Sequence, residues 1–330
     1  MALQARQFLS SLSSLARARL ARAYEGNAAR QVILCTLLAR ILDALPSLSK
    51  PPILLKGLAY AYDLYPNPNI RVVGDIDLLI EPEEVNMVLE QLVSKGFQRV
   101  HAPILLRHGL VYKIMWRIGL EARHQQIMSR VRGPVQERQT GFIGTIGGTQ
   151  ELVEIHYGLI NLFPTSIKGK IFRTQQELEI APRVLSIEGH AVQVLDHESA
   201  FLHAVRHLAL HHKLVGFLWH YDIALMLVLW RDSLRPECVL EKARMLGSHK
   251  IVRVELAILE ELFGPTIFHA EDRKLWLKDR LPLEYPLYRR VILKNGQTLL
   301  KELVRPLLAP SVKAQISALF SQSRVELSKL

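Results

Sequence analysis

Cysteine is scarce in this chain: two in 330 residues, Cys35 and Cys238. They lie far apart and make neither a metal-binding nor a redox spacing. That excludes a disulfide scaffold and points to a reduced, cytoplasmic protein. Long apolar runs are also missing. The most apolar stretch, "VGFLWHYDIALMLVLW", falls short of the roughly 20 residues a bilayer demands. It also carries His220 and Asp222, so it reads as a core helix, with no membrane partner expected. Acid is absent from the start of the chain, where no Asp or Glu precedes Glu25. An Arg- and Ser-rich opening of this kind has the look of an organellar transit peptide. The same residues suit an ordinary amphipathic helix with Leu9, Leu12 and Leu15 or Ala16 inward, and that reading is preferred. No signal-peptide pattern, internal repeat or low-complexity tract is seen.

What is present is a large potential core. At 49% hydrophobic and 22% charged residues, the chain is neither disordered nor fibrous, and its length favours two domains. The formal net charge is +11. Such an excess favours an anionic partner: a nucleotide, nucleic acid or another acidic molecule.

Along the chain, residues 1–49 read as helical, with "QVILCTLLARILDAL" stopped by Pro46 and the prolines at 51 and 52. An α/β section follows over 50–195. "ILLKG" is a short buried strand leading into a helix, "PNPN" a turn, and "DIDLLI" a second strand. "EPEEVNMVLEQLVSKG" has the proline, early acids and terminal glycine of a helix. "GFIGTIGGTQELVEIHYGL" suggests strands joined by a glycine turn, and "RVLSIEGHAVQVL" a hairpin turning at Glu188-Gly189. The basic segment at 107–138, including "RHQQIMSRVRGPVQER", reads as a solvated loop or an insertion able to hold RNA or another acidic acceptor. Residues 196–330 follow a helical pattern almost to the end.

"RVVGDIDLLI", residues 71–80, carries the chemistry. Alternate residues of a strand share a face about 7 Å apart, so Asp75 and Asp77 project together while Ile76, Leu78 and Ile80 fill the other side. An unpaired carboxylate is costly to bury. A hard divalent cation such as Mg2+ would explain the pair, because it takes oxygen ligands and leaves positions for phosphates. Glu154 in "ELVEIHY" is the best third ligand, since Val153 and Ile155 face the other way. If its strand neighbours the first, Glu154 comes within about 5 Å of the aspartates. Two ions could then activate an attacking oxygen and stabilise a leaving phosphate.

The stretches "LLKG", "YPNPNIRVVGDIDLLI" and "VEIHY" together resemble the nucleotidyltransferases with a DNA polymerase β-like fold, specifically their largely uncharacterised bacterial branch. "VLDHESAFLHAVRHLALHHKLVGFLWHYDIALML" extends the resemblance into a helical region, so that it spans roughly residues 50–230. The wider superfamily opens with Gly-Gly or Gly-Ser ahead of the carboxylates. Here Lys56-Gly57 stands in that place, a departure from the superfamily that agrees with the branch.

The resemblance implies an α+β fold: a polymerase β-like domain with a mixed sheet at 50–195, preceded by helices and followed by an all-helical domain. It implies that Asp75, Asp77 and Glu154 bind two Mg2+ ions, with Mn2+ as an alternative, and that one of these carboxylates helps activate the acceptor hydroxyl. It implies nucleotide contacts from Lys56, Gly57, Arg71 and Gly74, and from His211 and Asp222 in the helical region. The reaction would be in-line attack by an acceptor on the α-phosphate of an NTP such as ATP, releasing pyrophosphate.

Several features stay open at this level. His156, on the face of Glu154, suits either a ligand-orienting or a packed histidine. His203, His207 and His211 have a metal-compatible helical spacing but no convincing further ligand. His211 and Asp222 either face a nucleotide cleft between adjacent helices or buttress the bundle. Trp219, Tyr221 and Trp230 suit base stacking or the core. A haloacid-dehalogenase-type phosphatase fits worse, because Leu79 stands where that motif has Thr or Val. A nucleotide-sugar glycosyltransferase would need a longer α/β domain before its aspartates than residues 50–75 supply. The non-enzymatic alternative is a polymerase β-like module that binds nucleotide or RNA without turnover. Acceptor, base preference and oligomeric state are not readable.

Overall fold

The computed structural model describes residues 12–45, 48–100, 139–157, 180–212, 214–277, 281–282 and 285–293. The basic 107–138 segment, the first eleven residues and 294–330 lie outside that set. The chain divides into two compact units. One comprises Met1–Met115, Thr140–His156 and Val184–Val194; the other comprises Trp116–Gln139, Tyr157–Arg183 and Leu195–Leu330.

The first unit opens with helix α1, Ser14–Ala44, which runs unbroken for 31 residues. Ser13 begins it by accepting a bond from the Ala16 amide at 3.2 Å. Leu34, Leu37, Leu38 and Ile41 recur at helical spacing and are all buried, so the second half of α1 is its core-facing part. Helix α1 shares this unit with most of the sheet.

Among the described residues, seven strands make one mixed sheet: β1 (Ile53–Leu55), β2 (Ile76–Leu79), β3 (Gln98–Val100), β4 (Gln139–Ile146), β5 (Thr149–His156), β6 (Arg183–Ile187) and β7 (His190–Val194). Their spatial order is β3-β4-β5-β2-β1-β7-β6. Strand β1 is antiparallel to β2 and parallel to β7, whereas β2 is parallel to β5. Strand β2 is therefore the middle strand of seven, and all four of its residues are buried.

Glycine and turn chemistry set the hairpins. Gly147 and Gly148, with φ of 54° and 81°, join β4 to β5, and Glu188 and Gly189, at 47° and 84°, join β6 to β7. Such pairs match the twist of the flanking strands. Gly144 in β4 has a different role. A Cβ there would lie 2.5 Å from Leu37 Cδ1 and 3.0 Å from Phe97 Cε1, so only glycine lets α1 pack this closely on the strand.

Helix α2 (Lys56–Leu64) follows β1 directly, and α3 (Val85–Ser94) follows β2 after a short 3-10 turn, Pro82–Glu84. A further 3-10 turn, Pro68–Ile70, fills the "PNPN" stretch.

In the second unit the described residues carry α4 (His197–Leu210), α5 (Phe217–Leu229), α6 (Pro236–Met245), α7 (His249–Phe263), α8 (Arg273–Trp276) and α9 (Tyr285–Leu293). Asp196 caps α4 through the Ser199 amide at 2.9 Å. Residues 215–230, the most apolar stretch of the sequence, supply α5, in which Ile223, Met226 and Leu227 are buried. Among the described residues, no helix is long and apolar enough to cross a membrane.

Candidate active site

The site grows from the register of two strands. Parallel pairing of β2 with β5 sets Asp77 opposite Glu154 and Leu79 opposite His156. Ile76 and Leu78 point to the other face with Val153 and Ile155, and all four are fully buried. The apolar alternation of both strands is what turns their acids to one side.

Asp77 is 2% exposed and meets an ammonium and an imidazole. Lys56 Nζ lies 2.7 Å from Asp77 Oδ1, and His156 Nε2 lies 2.8 Å from the same oxygen. His156 Nε2 is also 3.5 Å from Glu154 Oε2. Lys56 approaches from the β1 side of β2, and the other two come from β5 on the opposite side.

These neighbours set the ionisation. Burial pushes the Asp77 carboxyl up, but Lys56 and His156 outweigh it and hold the group well below the usual carboxylate range. Burial works against the Lys56 ammonium, yet Asp77, with Asp75 and Glu154 behind it, keeps its pKa above the ordinary lysine value. Burial likewise opposes the imidazolium of His156, and its bonds to Asp77 and Glu154 reverse the balance and raise it. Asp75 has the contrary environment. Burial first, then repulsion from Asp77, pushes it up to about 7, with Lys56 only partly offsetting them.

Asp77, Glu154 and His156 offer one donor atom each within 4.8 Å of one another, and can thereby hold a cation. Asp75 feels the charges of all three but precedes the start of β2 and is outside that group. The third close donor is thus His156, the residue for which the sequence left two roles open. Its position two residues after Glu154 was the available signal; what was missing was the strand beside it.

Lys56 is held in an uncommon backbone conformation, with φ of 46°. A residue with a Cβ adopts this at a cost. Here it is the first residue of α2, and its side chain lies against Asp77. Leu55, which precedes α2, makes no side-chain capping bond, and among the described residues the amides of the first turn have no side-chain partner. Gly57 sits tightly: an added Cβ would meet Val73 Cγ1 at 3.1 Å and Arg71 Nη1 at 3.8 Å. A Cβ on Gly74 would meet nothing within 4 Å.

Arg71 is 1% exposed. Its Nη1 donates to the carbonyls of Gly57 at 3.0 Å and Val72 at 3.2 Å, and its guanidinium lies over the Tyr60 ring at 5.6 Å. In return, Asn27 and Gln31 of α1 donate to the Arg71 carbonyl at 2.9 and 3.2 Å. The structure thus places Arg71 as a brace behind the Lys56-Gly57 turn. Sequence reasoning missed Asn27 and Gln31, which carry no motif and matter only through the packing of α1.

A family described as uncharacterised nucleotidyltransferases matches residues 2–264. The chain belongs to this family. Membership supports nucleotidyl transfer as the general class of chemistry. Among solved structures, the chain is similar to an antigenic nucleotidyltransferase-like protein from Paracoccidioides brasiliensis. The two share 17% identity, with 77% of this chain and 94% of that one covered and a TM-score of 0.37. No curated protein matches the chain.

Other residues of this nucleotidyltransferase-family chain fall in the second unit. His211 is half-buried just after α4, and Asp222 of α5 is 1% exposed. His203, His207 and His211 share a face of α4, with the last two rings stacked at 4.9 Å. They do not form a group of three donors within ligand distance. Trp219 stacks on His212 at 4.4 Å, Trp230 lies 4.5 Å from His197, and Tyr221 packs beside Phe217 and Phe263. All three aromatics have ring partners within the protein. Both cysteines are free thiols.

Proposed function

We propose that the chain is a divalent-cation-dependent nucleotidyltransferase that moves NMP from an NTP to the hydroxyl or phosphate of an acceptor and releases pyrophosphate. The observation that carries this reading is the register of Asp77 with Glu154 in the middle of the sheet. Two buried or half-buried acids side by side repel; Lys56 and His156 offset part of that charge, and a cation at the donor atoms would offset the rest. Their donor atoms, with that of His156, lie close enough for one ion to reach.

In this reading the polymerase β-like superfamily, and its bacterial branch, supply the mechanism. Asp75, Asp77 and Glu154 take Mg2+, two ions in the full complement, with Mn2+ as the alternative. When bound, the cation supplies positive charge at the transferred phosphate and lowers the pKa of the acceptor hydroxyl. The chain's own residues do the positioning. Lys56 fixes the Asp77 carboxylate and adds a positive charge beside the phosphates. The uncapped first turn of α2 presents amides to an anion, and Gly57 lets a triphosphate approach the backbone. Arg71 acts by bracing that turn. Gly74 keeps space open in front of Asp75. Glu154, with the least buried of the three close donors, accepts the proton of the acceptor. The net charge of +11 favours an acidic acceptor, RNA among them, and the free thiols agree with a cytoplasmic setting.

Incubation of the purified protein with Mg2+, each of the four NTPs labelled at the α-phosphate and a cell extract tests the reading. Label entering a defined size fraction, with matching pyrophosphate release, is the expected result. A non-catalytic nucleotide- or RNA-binding module would bind without releasing pyrophosphate and would keep that affinity when Asp77 is replaced by alanine.

A further inference from the structure

We propose that His156 is itself a ligand of the cation, so that the site selects a first-row transition ion such as Mn2+ over Mg2+. The proposal rests on the cation-dependent reading above and adds the identity of the third donor. Cis ligands of a six-coordinate ion with bonds near 2.1 Å lie about 3 Å apart. His156 Nε2 stands 2.8 Å from Asp77 Oδ1 and 3.5 Å from Glu154 Oε2, which brackets that spacing. Asp75, one of the three carboxylates expected as donors, is outside the group. His156 is brought there by β5: it follows Glu154 by two residues and so shares its face, and the parallel register carries both along β2.

The donor set then decides the ion. Mg2+ is hard, prefers oxygen and loses little by rejecting an imidazole. Transition ions gain from a nitrogen donor and also accept carboxylates. One imidazole and two carboxylates on one side of an ion leave its remaining positions for water or phosphate oxygens. Lys56 reaches Asp77 from the far side of β2, fixing the carboxylate without supplying a ligand. A histidine that only oriented Asp77 by hydrogen bonding would not touch the ion, and the two arrangements differ in a measurable way.

The test is electron spin-echo spectroscopy of Mn2+ bound to the full chain, alone and with a non-hydrolysable ATP analogue, beside calorimetric titrations of Mn2+ and Mg2+. The expected result is a directly coordinated 14N nucleus in the wild type, absent in His156→Ala. Mn2+ affinity should fall roughly 10- to 100-fold in that variant, with Mg2+ affinity nearly unchanged. Loss of the signal in Glu154→Gln assigns the ion to this site and not to the histidines of α4. Bound Mn2+ without nitrogen coupling overturns the proposal while leaving nucleotidyl transfer standing, as does equal weakening of both ions in His156→Ala. Failure of Mn2+ to bind overturns it as well, and label transfer with Mg2+ then reports separately on the function. If His156→Ala does not fold, the wild-type nitrogen coupling decides alone.

Discussion

Asp77 and Glu154 stand directly opposite each other on parallel neighbouring strands, in the middle of a seven-stranded sheet. Glu154→Gln keeps the shape and removes the charge. In the account above it lowers nucleotidyl transfer by about 10²-fold or more. Its side chain is the most exposed of the three donors but still touches His156, so thermal stability should change by about 0.5–1.5 kcal/mol. Label transfer and a melting curve on the same preparation check both halves.

Lys56 and Asp77 form a buried pair, and each is the other's main compensation. Lys56→Met leaves Asp77 with His156 alone and should destabilise the fold by about 3–5 kcal/mol. Adding Asp77→Asn should recover a large part of that loss, because the stranded charge goes with it. Urea denaturation of the two single variants and the double variant closes the cycle.

The pH dependence follows from Asp75. Its carboxyl is held up to about 7 in the folded protein, against about 3.9 when unfolded. Between these values the folded state binds more protons than the unfolded state, so this group makes stability fall as pH rises toward 7. Asp75→Asn removes the titration. It should therefore be more stabilising at pH 8 than at pH 5, by about 1–3 kcal/mol, in denaturation experiments without added cation. Asp77 has the opposite sign: its depressed pKa contributes stability above the ordinary carboxylate range and loses it as the solution is acidified below that range.

Two glycines separate packing from approach. Gly144→Ala forces a methyl group against Leu37 and Phe97 and should cost about 1–3 kcal/mol without touching the site. Gly74→Ala meets open space and should leave stability within about 0.5 kcal/mol. If the substrate uses that space, its KM rises in Gly74→Ala and not in Gly144→Ala.

Asp77 is legible from alternation alone, because Ile76 and Leu78 take the other face of β2, whereas Asp75 falls just before the strand. Hairpin turns are legible for a similar local reason: Gly147-Gly148 and Glu188-Gly189 satisfy a backbone requirement that few other pairs meet. Strand neighbours are a matter of tertiary pairing, and no residue in "ELVEIHY" announces that β5 lies beside β2. The consequence is visible at His156, whose chemistry depends on Asp77, a residue of another strand. Arg71 shows the same limit. An arginine four residues before an acid pair suits a phosphate contact or a structural charge, and its bonds to Gly57 and from Asn27 and Gln31 of α1 depend on tertiary packing.

The most direct test of the central claim is pyrophosphate release from α-labelled NTPs with Mg2+ or Mn2+, comparing wild type with Glu154→Gln in the presence of a cell extract. Labelled acceptor and matching pyrophosphate are expected with the wild type, and about 10²-fold less of both with the variant. Wild-type protein that neither binds nucleotide nor releases pyrophosphate with any acceptor pool would contradict that claim.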